Sequence, residues 1–212
     1  MKLLITSGGT REAIDPVRYL SNGSTGKTGA SLATSLVALG HEVTLLHGVG
    51  AILPSENVER EAFFSAEGLR STLEKRLAGG GYAAVIMAAA VSDYRPAALA
   101  TEKLSSDKEN LTLNLVRNPK ILPQLRGFSP CAIKVIGFKL TVGADAEACD
   151  AAVRDQFAKA GVDAVVHNDL AEMQASPQRL FRWSSTPSEN RIVAGLSALA
   201  EVIDELIRRD NP

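Results

Sequence analysis

Apolar residues gather in short, nearly unbroken runs separated by longer stretches of mixed polarity. Leu3 to Thr6, Glu42 to Leu46 and Tyr82 to Met87 are the first three, each of strand length and apolar on both faces. Between them, Gly29 to Leu39 has helix-forming composition and stops at Gly40, a natural position for a terminating glycine. Ala66 to Ala78 sets Leu69, Leu73 and Leu77 one above the other on a helix, which Gly79, Gly80 and Gly81 end. Strands that alternate with helices and are apolar on both faces predict a parallel sheet covered on each side.

The pattern resumes further on. Ala132 to Phe138 and Asp163 to His167 are buried strands by composition, with a helix from Ala144 to Ala160 between them. Leu180 to Trp183 could form another strand. Ser188 to Arg209 predicts a closing helix, with Ser188 as cap and Ile192, Leu196, Leu199, Ile203 and Leu206 near helical spacing. From Tyr94 to Leu115 the helix and core signals fade, and Leu111, Leu113 and Leu115 alternate with Thr112 and Asn114 as in an exposed strand. The expected architecture is therefore α/β: one doubly wound, Rossmann-like parallel sheet over residues 1–212, with 94–118 as a flap or antiparallel appendage.

The 212 residues, 45% of them hydrophobic, suffice for one substantial core. Lys plus Arg is 23 and Asp plus Glu is 24, a balance that argues against a nucleic-acid or membrane-surface binder, both of which need a positive field. No run approaches the roughly 18 to 20 apolar residues of a membrane span, and the opening apolar run is too short for a signal peptide. Cys131 and Cys149 form no CxxC motif and have no neighbouring histidine cluster, so neither a disulfide framework nor a structural zinc is expected, and the expected home is the cytoplasm.

Ligands of open α/β sheets bind at the carboxyl ends of the strands. Four loops qualify here: Ser7 to Thr10, Ala88 to Asp93, Phe138 to Thr141, and Asn168 with Asp169. Glycines 8, 9, 23, 26 and 29, interleaved with hydroxyl residues, flank the start of the first helix and supply the ingredients of a phosphate site. The stretch is neither of two familiar fingerprints. A long insert splits the glycines of GxGxxG, and Ser21 stands where a P-loop needs its first glycine. In the insert, Arg18 suits a phosphate or carboxylate, and Asn22 offers a donor and an acceptor. Asp93 could accept from a substrate or cap a helix. Lys103 on a closing flap could stabilise developing negative charge, and Lys139 follows a strand end. Asn168 could meet a ribose, base or metal, or serve a local turn. No nucleophile–base pair and no metal cage stand out; a nucleotide could carry its own magnesium.

ITSGGTREAIDPVRYLSNGSTGKTG, AAAVSDYRP, EKL, RNPKIL, VIGFKL and VVHND, in that order, resemble the phosphopantothenoylcysteine synthetase (phosphopantothenate–cysteine ligase) family of coenzyme A biosynthesis. The resemblance implies a ligase acting on 4′-phosphopantothenate, L-cysteine and a nucleoside triphosphate, CTP in preference to ATP, through an acyl-nucleotidylate. It implies Mg²⁺ as cofactor, no flavin and a homodimer. The flavin-dependent decarboxylase found fused in many bacterial members has no counterpart here, so the stand-alone form is expected. By the same resemblance Gly8, Ser24, Gly26 and Gly29 would contact nucleotide phosphates. Ala89, Ala90 and Asp93 would line the pantothenate or sugar region. Asn22 would handle the acyl intermediate and Lys103 would be the flap lysine. Pro119, Lys120, Ile121, Leu122, Phe138 and Asn168 would meet the nucleotide, with Lys139 beside them, and Arg18 would reach phosphopantothenate held by the opposite subunit. At the flap Lys103 is followed by Leu104-Ser105-Ser106 where many bacterial members carry a lysine-rich run. A nicotinamide oxidoreductase and a non-catalytic nucleotide-binding module are the competing classes. The first lacks its compact glycine motif and its Tyr-x-x-x-Lys pair.

Overall fold

The computed structural model describes residues 1–55, 58–107, 109–176 and 178–209. Eight strands form one sheet: β1 (Lys2–Ser7), β4 (Glu42–Gly48), β5 (Glu59–Phe63), β6 (Tyr82–Met87), β9 (Lys134–Thr141), β10 (Ala164–Asp169), β11 (Leu180–Thr186) and β12 (Glu189–Ala194). Their order is β12-β11-β10-β9-β6-β1-β4-β5. The six strands from β10 to β5 are parallel, and β11 and β12 add an antiparallel edge. Two small antiparallel pairs lie outside the sheet: β2 (Arg11–Ala13) with β3 (Tyr19–Ser21), and β7 (Tyr94–Pro96) with β8 (Leu115–Arg117).

Helices cover both faces because the central strands are apolar on both. Leu3 and Ile5 point into a core shared with Leu32 and Leu36 of α1 (Lys27–Ala38) and Leu199 and Ile203 of α6 (Gly195–Arg209). Leu4, one residue out of phase, enters the opposite core with Leu69, Leu73 and Leu77 of α2 (Ala66–Ala78), Leu125 of α3 (Leu125–Phe128) and Val153 of α4 (Ala146–Ala160). The three α2 leucines are fully buried, each worth about 1.5–3 kcal/mol. Ser65 caps α2 by accepting from the Gly68 N–H at 3.1 Å, and Asp145 caps α4 through the Ala148 N–H at 2.8 Å. A short helix, α5 (Leu170–Ala175), follows β10.

The expected doubly wound sheet is present, with three local differences. Ser188 to Arg209 is not one helix: Glu189–Ala194 is the edge strand β12, and the helix begins at Gly195, whose φ of 83° breaks the chain direction. Ile192 lies on the solvent face of that strand and is 55% exposed, whereas Val193 is buried. The alternation of Leu111 and Leu113 makes no strand; pairing begins only at Leu115. The charged segment Glu59–Phe63 forms β5, the other edge. The chain runs from β1 to β4 on one side while β6 lies on the other, so the strand order diverges at the carboxyl ends of β1 and β6.

Candidate functional site

Glycines bring the start of α1 hard against the end of β1. A Cβ on Gly29 would sit 2.6 Å from the Cβ and Oγ of Ser7, and the Ser7 hydroxyl donates to the Gly26 carbonyl at 2.8 Å. Gly8 and Gly26 have φ of 79° and 77°, and at each a Cβ would press on Ala51 at 2.7 and 2.8 Å. These glycines are thus required by close packing of the protein on itself. The result is a helix whose N-cap, Gly26, provides no side-chain acceptor; Thr25 Oγ1 accepts from the Lys27 N–H at 3.4 Å, and the positive end of the helix dipole lies beside the end of β1.

Loops after β1 and β6 are joined as an extension of the sheet. The Ala90 N–H donates to the Gly8 carbonyl at 2.8 Å, and the Thr10 N–H to the Ala90 carbonyl at 3.2 Å. Thr10 Oγ1 accepts from the Ser92 N–H at 2.9 Å and donates to Ser92 Oγ at 3.1 Å. The Ala89 N–H reaches Thr6 Oγ1 at 3.1 Å. The insert joins the same assembly: Ser21 Oγ donates to the Thr10 carbonyl at 2.8 Å, and Asn22 Nδ2 to the Val91 carbonyl at 3.3 Å. Asn22 stays exposed, and its carbonyl accepts from the Ser24 N–H at 2.8 Å. Gly8, Asn22, Ser24, Gly26, Gly29, Ala89 and Ala90, far apart in sequence, therefore share one end of β1 and β6.

The segment between β7 and β8 is fastened to the insert. Arg18 donates through Nε to Asp15 Oδ2 at 2.8 Å and through Nη2 to the Leu104 carbonyl at 2.6 Å, while the Leu104 N–H returns to Asp15 Oδ2 at 3.1 Å. Burial alone would push the Asp15 carboxyl up. The bonds it accepts from the Val17 N–H, the Arg18 side chain and N–H, and the Leu104 N–H hold it well below the usual carboxylate range. Lys103, next to this anchor, is exposed. Beside it lies an apolar hollow of about 480 Å³ lined by Val17, Tyr19, Phe64 and Leu99 among others.

A second arm comes from the segment after β8. Asn118 is tied by its N–H to the Asp93 carbonyl at 2.8 Å and by Nδ2 to the Ser92 carbonyl at 2.9 Å. This brings Lys120 Nζ into an ion pair with Asp93, both exposed. Asp93 caps no helix. Pro119 and Lys120 are exposed, Ile121 is buried in the α2-side core and Leu122 packs against it. The β6–β9 pairing ends at Met87 and Gly137, and beyond it Gln156 Nε2 donates to the Phe138 carbonyl at 3.4 Å, with Lys139 following.

At the end of β10, Asn168 is buried and its Oδ1 has no hydrogen-bond partner among the described residues. Its neighbour Asp169 accepts from the Thr141 hydroxyl at 2.7 Å and from the N–H groups of Gly143, Ala144 and Ala171. The Thr141 bond foremost, helped by the backbone donors, holds the Asp169 carboxyl well below the usual range despite burial. Thr141 also meets His167 Nε2 at 2.9 Å. Burial pushes the His167 imidazole down, toward its neutral form. This network fixes the β9–α4 turn and thereby the backbone around Asn168.

Sequence reasoning singled out neither Asp15 nor Asn118, the two residues that lash the arms together. Asp15-Pro16-Val17-Arg18 is a recognisable Asx-type turn, with Asp15 Oδ1 accepting from the Val17 and Arg18 N–H groups at 2.8 Å, and that signal was legible. The Leu104 and Ser92 partners lie too far along the chain to be read from spacing. Among the described residues no three His, Cys, Asp or Glu side chains converge on a metal position, and no helix is long and apolar enough to cross a membrane.

Comparison with known proteins places this geometry. Residues 1–181 match the family model described as DNA/pantothenate metabolism flavoprotein C-terminal domain. The chain is 37% identical over 169 residues to a coenzyme A biosynthesis bifunctional protein CoaBC of Thermococcus kodakarensis, covering 80% of this chain and 41% of that protein. It is 36% identical over 183 residues to the protein of the same name from Mycobacterium bovis, covering 82% and 43%. The chain thus spans about two fifths of the length of these relatives. The crystal structure of a DNA/pantothenate metabolism flavoprotein from Streptococcus pneumoniae superposes with a TM-score of 0.88 at 29% identity, covering all of both chains. A Cab2 mutant in complex with phosphopantothenate-cysteine shares the fold, with a TM-score of 0.77 at 20% identity over 98% of this chain and 85% of that one. The family expected from the opening run and the motifs after it is the one that these matches return: the chain belongs to the DNA/pantothenate metabolism flavoprotein C-terminal domain family.

Proposed function

We propose that this chain joins 4′-phosphopantothenate to L-cysteine at the expense of a nucleoside triphosphate, with CTP preferred to ATP. One observation carries the reading: the Asn22 amide, the glycine-capped N-terminus of α1 and the joined loops after β1 and β6 lie together in a chain of this family. The relatives named for coenzyme A biosynthesis and the structure holding phosphopantothenate-cysteine support the choice of substrates.

A carboxylate does not react with an amine until one of its oxygens becomes part of a good leaving group. In the proposed first step the phosphopantothenate carboxylate attacks the α-phosphorus of the nucleotide and pyrophosphate departs. The cysteine amine then attacks the acyl carbon, loses a proton and expels the nucleoside monophosphate. Neither step needs a protein nucleophile; both need positioning and stabilisation of charge. Gly8, Ser24, Gly26 and Gly29 set the phosphates on the α1 N-terminus, and Asn22 Nδ2 donates to the acyl intermediate. Lys103 closes over the phosphates from the flap, 94–118, of a domain taken as 1–212.

Ala89 and Ala90 leave room for the pantothenate or sugar against backbone. The Asp93–Lys120 pair divides its partners, Asp93 taking a hydroxyl and Lys120 a phosphate oxygen. Pro119, Ile121, Leu122, Phe138, Lys139 and Asn168 line the nucleoside. Arg18 anchors the flap beside Lys103, and at a dimer face the same guanidinium would meet the phosphopantothenate of a second copy. The exposed apolar residues Val17, Tyr19, Phe64 and Leu99 support a homodimer. Magnesium arrives on the triphosphate, screening its charge, and the cytoplasm supplies all three substrates. Assay of 4′-phosphopantothenoylcysteine and pyrophosphate with each nucleotide tests the reading; absence of product with every one contradicts it.

A further inference from the structure

Glu12 is a carboxylate with only 5% of its surface exposed, at the middle of β2. Its Oε1 accepts at 2.8 Å from the N–H of Ala66, the first residue of α2, and among the described residues no basic side chain pairs with it. Burying an ionised carboxylate costs free energy unless hydrogen bonds or an opposite charge offset it. Here the positive end of the α2 dipole supplies that charge. The helix itself has little need of the bond, because Ser65 already caps it and Glu67 stands in its first turn. The bond serves the other partner, the β2–β3 hairpin.

That hairpin has three residues in each strand, and among the described residues each strand pairs only with the other. A two-stranded ribbon is marginal on its own in water. Two bonds fasten β2 to the joint between β5 and α2: the Arg11 N–H to the Phe64 carbonyl at 2.7 Å, and the Ala66 N–H to Glu12. Arg11 faces Ser21 in the hairpin register, and Asn22 follows Ser21 directly. The exposed Asn22 side chain makes one bond of its own, the 3.3 Å contact with the Val91 carbonyl. The place of its amide is therefore set chiefly by the hairpin. At the other end of the hairpin, Asp15 fixes the turn separately through Arg18 and Leu104.

We propose that Glu12 is a positioning residue for Asn22: by holding β2 on the α2 N-terminus, it sets where β3 delivers the Asn22 amide to the crevice. The role asks for an acceptor at full side-chain length. Glutamine keeps the reach and an oxygen that accepts. Aspartate keeps the charge but is one methylene too short, and alanine has neither. A residue that served stability alone would move the melting temperature and leave the chemical step as it was. A positioning residue moves the chemical step, since an error of about 1 Å can cost ~10²-fold in rate. This inference rests on the reading of Asn22 as donor to the acyl intermediate, and adds the residue that aims it.

The test applies steady-state kinetics and thermal melts to the full chain carrying Glu12→Gln, Glu12→Asp, Glu12→Ala, Asn22→Ala, or Glu12→Ala with Asn22→Ala. The ¹⁵N–¹H side-chain amide signal of Asn22, assigned by its loss in Asn22→Ala, is followed in the same proteins. Glu12→Ala and Glu12→Asp should lower kcat ~10-fold or more, with the KM values for CTP and cysteine within ~2-fold of the wild type. Glu12→Gln should stay within ~3-fold of the wild-type kcat. On the Asn22→Ala background, Glu12→Ala should cost less than a further ~2-fold, as for two residues that act as one. The Asn22 amide signal should move in the alanine and aspartate variants and hold its place in glutamine. If Glu12→Ala does not fold, Glu12→Asp stands in for it, alone and in the double variant. An untouched kcat in the folded alanine and aspartate variants, an equal loss in glutamine, losses that multiply in the double variant, or an unmoved amide signal overturns the proposal. Should Asn22→Ala keep its full kcat, or no nucleotide give product, the reading of Asn22 fails and the amide signal alone decides whether Glu12 places it. A signal that moves in alanine and aspartate but not in glutamine then supports the proposal, and any other pattern overturns it.

Discussion

The Arg18 guanidinium donates to the Leu104 carbonyl at 2.6 Å across 86 positions of sequence, and Asp15 holds both residues. The backbone next to Lys103 is thereby fixed to the insert that carries Asn22. An exposed lysine on an untethered loop would lose most of its entropy on reaching a substrate, whereas a tethered one starts close to its working position. Replacing Asp15 by Ala removes the acceptor of four hydrogen bonds, all from partly buried donors. The expected cost is about 1–3 kcal/mol of stability and a larger KM for the nucleotide. Thermal melts and steady-state kinetics on the same preparation check both.

Asn22 touches the protein only lightly, so its replacement should spare the fold. Asn22→Ala is expected to lower kcat about 10²- to 10³-fold, the usual cost of one donor to a developing oxyanion, while the melting temperature stays within about a degree of the wild type. A normal kcat in that variant would remove Asn22 from the chemistry.

Gly29 bears on both packing and ligand. A Cβ there would press on Ser7 backbone and side chain at 2.6 to 3.2 Å, and neither can give way cheaply. Gly29→Ala should destabilise by about 1–3 kcal/mol, a drop of roughly 2–4 °C in Tm per kcal/mol for a chain of this size. Displacement of the α1 N-terminus should weaken nucleotide binding in parallel, measured by calorimetry.

Acid should loosen the site in a defined direction. Asp15 and Asp169 both have folded pKa values depressed below the ordinary 3.8. Their contribution is therefore complete above that value and is lost as pH falls below it toward the folded pKa values. Chemical denaturation between pH 6 and about pH 2.5 should show stability falling from about pH 4 downward. Asp169→Asn should flatten that slope, because the amide has no charge to lose.

The central strands were legible because β1, β4 and β6 are buried on both faces and so carry no Asp, Glu, Lys or Arg past their first residue. The sheet edges were not. β5 reads EREAF and β12 reads ENRIVA, and each shows water one face, so charged residues mask the strand signal. Ile192 happened to fall at helical spacing with the residues of α6, although its side chain faces solvent. Gly195 is the residue that should have divided the two elements. Within the site, the loops at strand ends and the glycines around α1 could be found from position alone. The Asp15–Leu104 and Ser92–Asn118 ties could not, since no local pattern announces a partner so distant.

The route of an oxygen atom tests the central claim most directly. With 4′-phosphopantothenate labelled with ¹⁸O in its carboxylate, the acyl-nucleotidylate path leaves one labelled oxygen on the phosphate of the released nucleoside monophosphate. Mass spectrometry of that product should find the label there and none in the pyrophosphate. Label in inorganic phosphate, with a nucleoside diphosphate as co-product, would show attack at the terminal phosphorus and contradict the account.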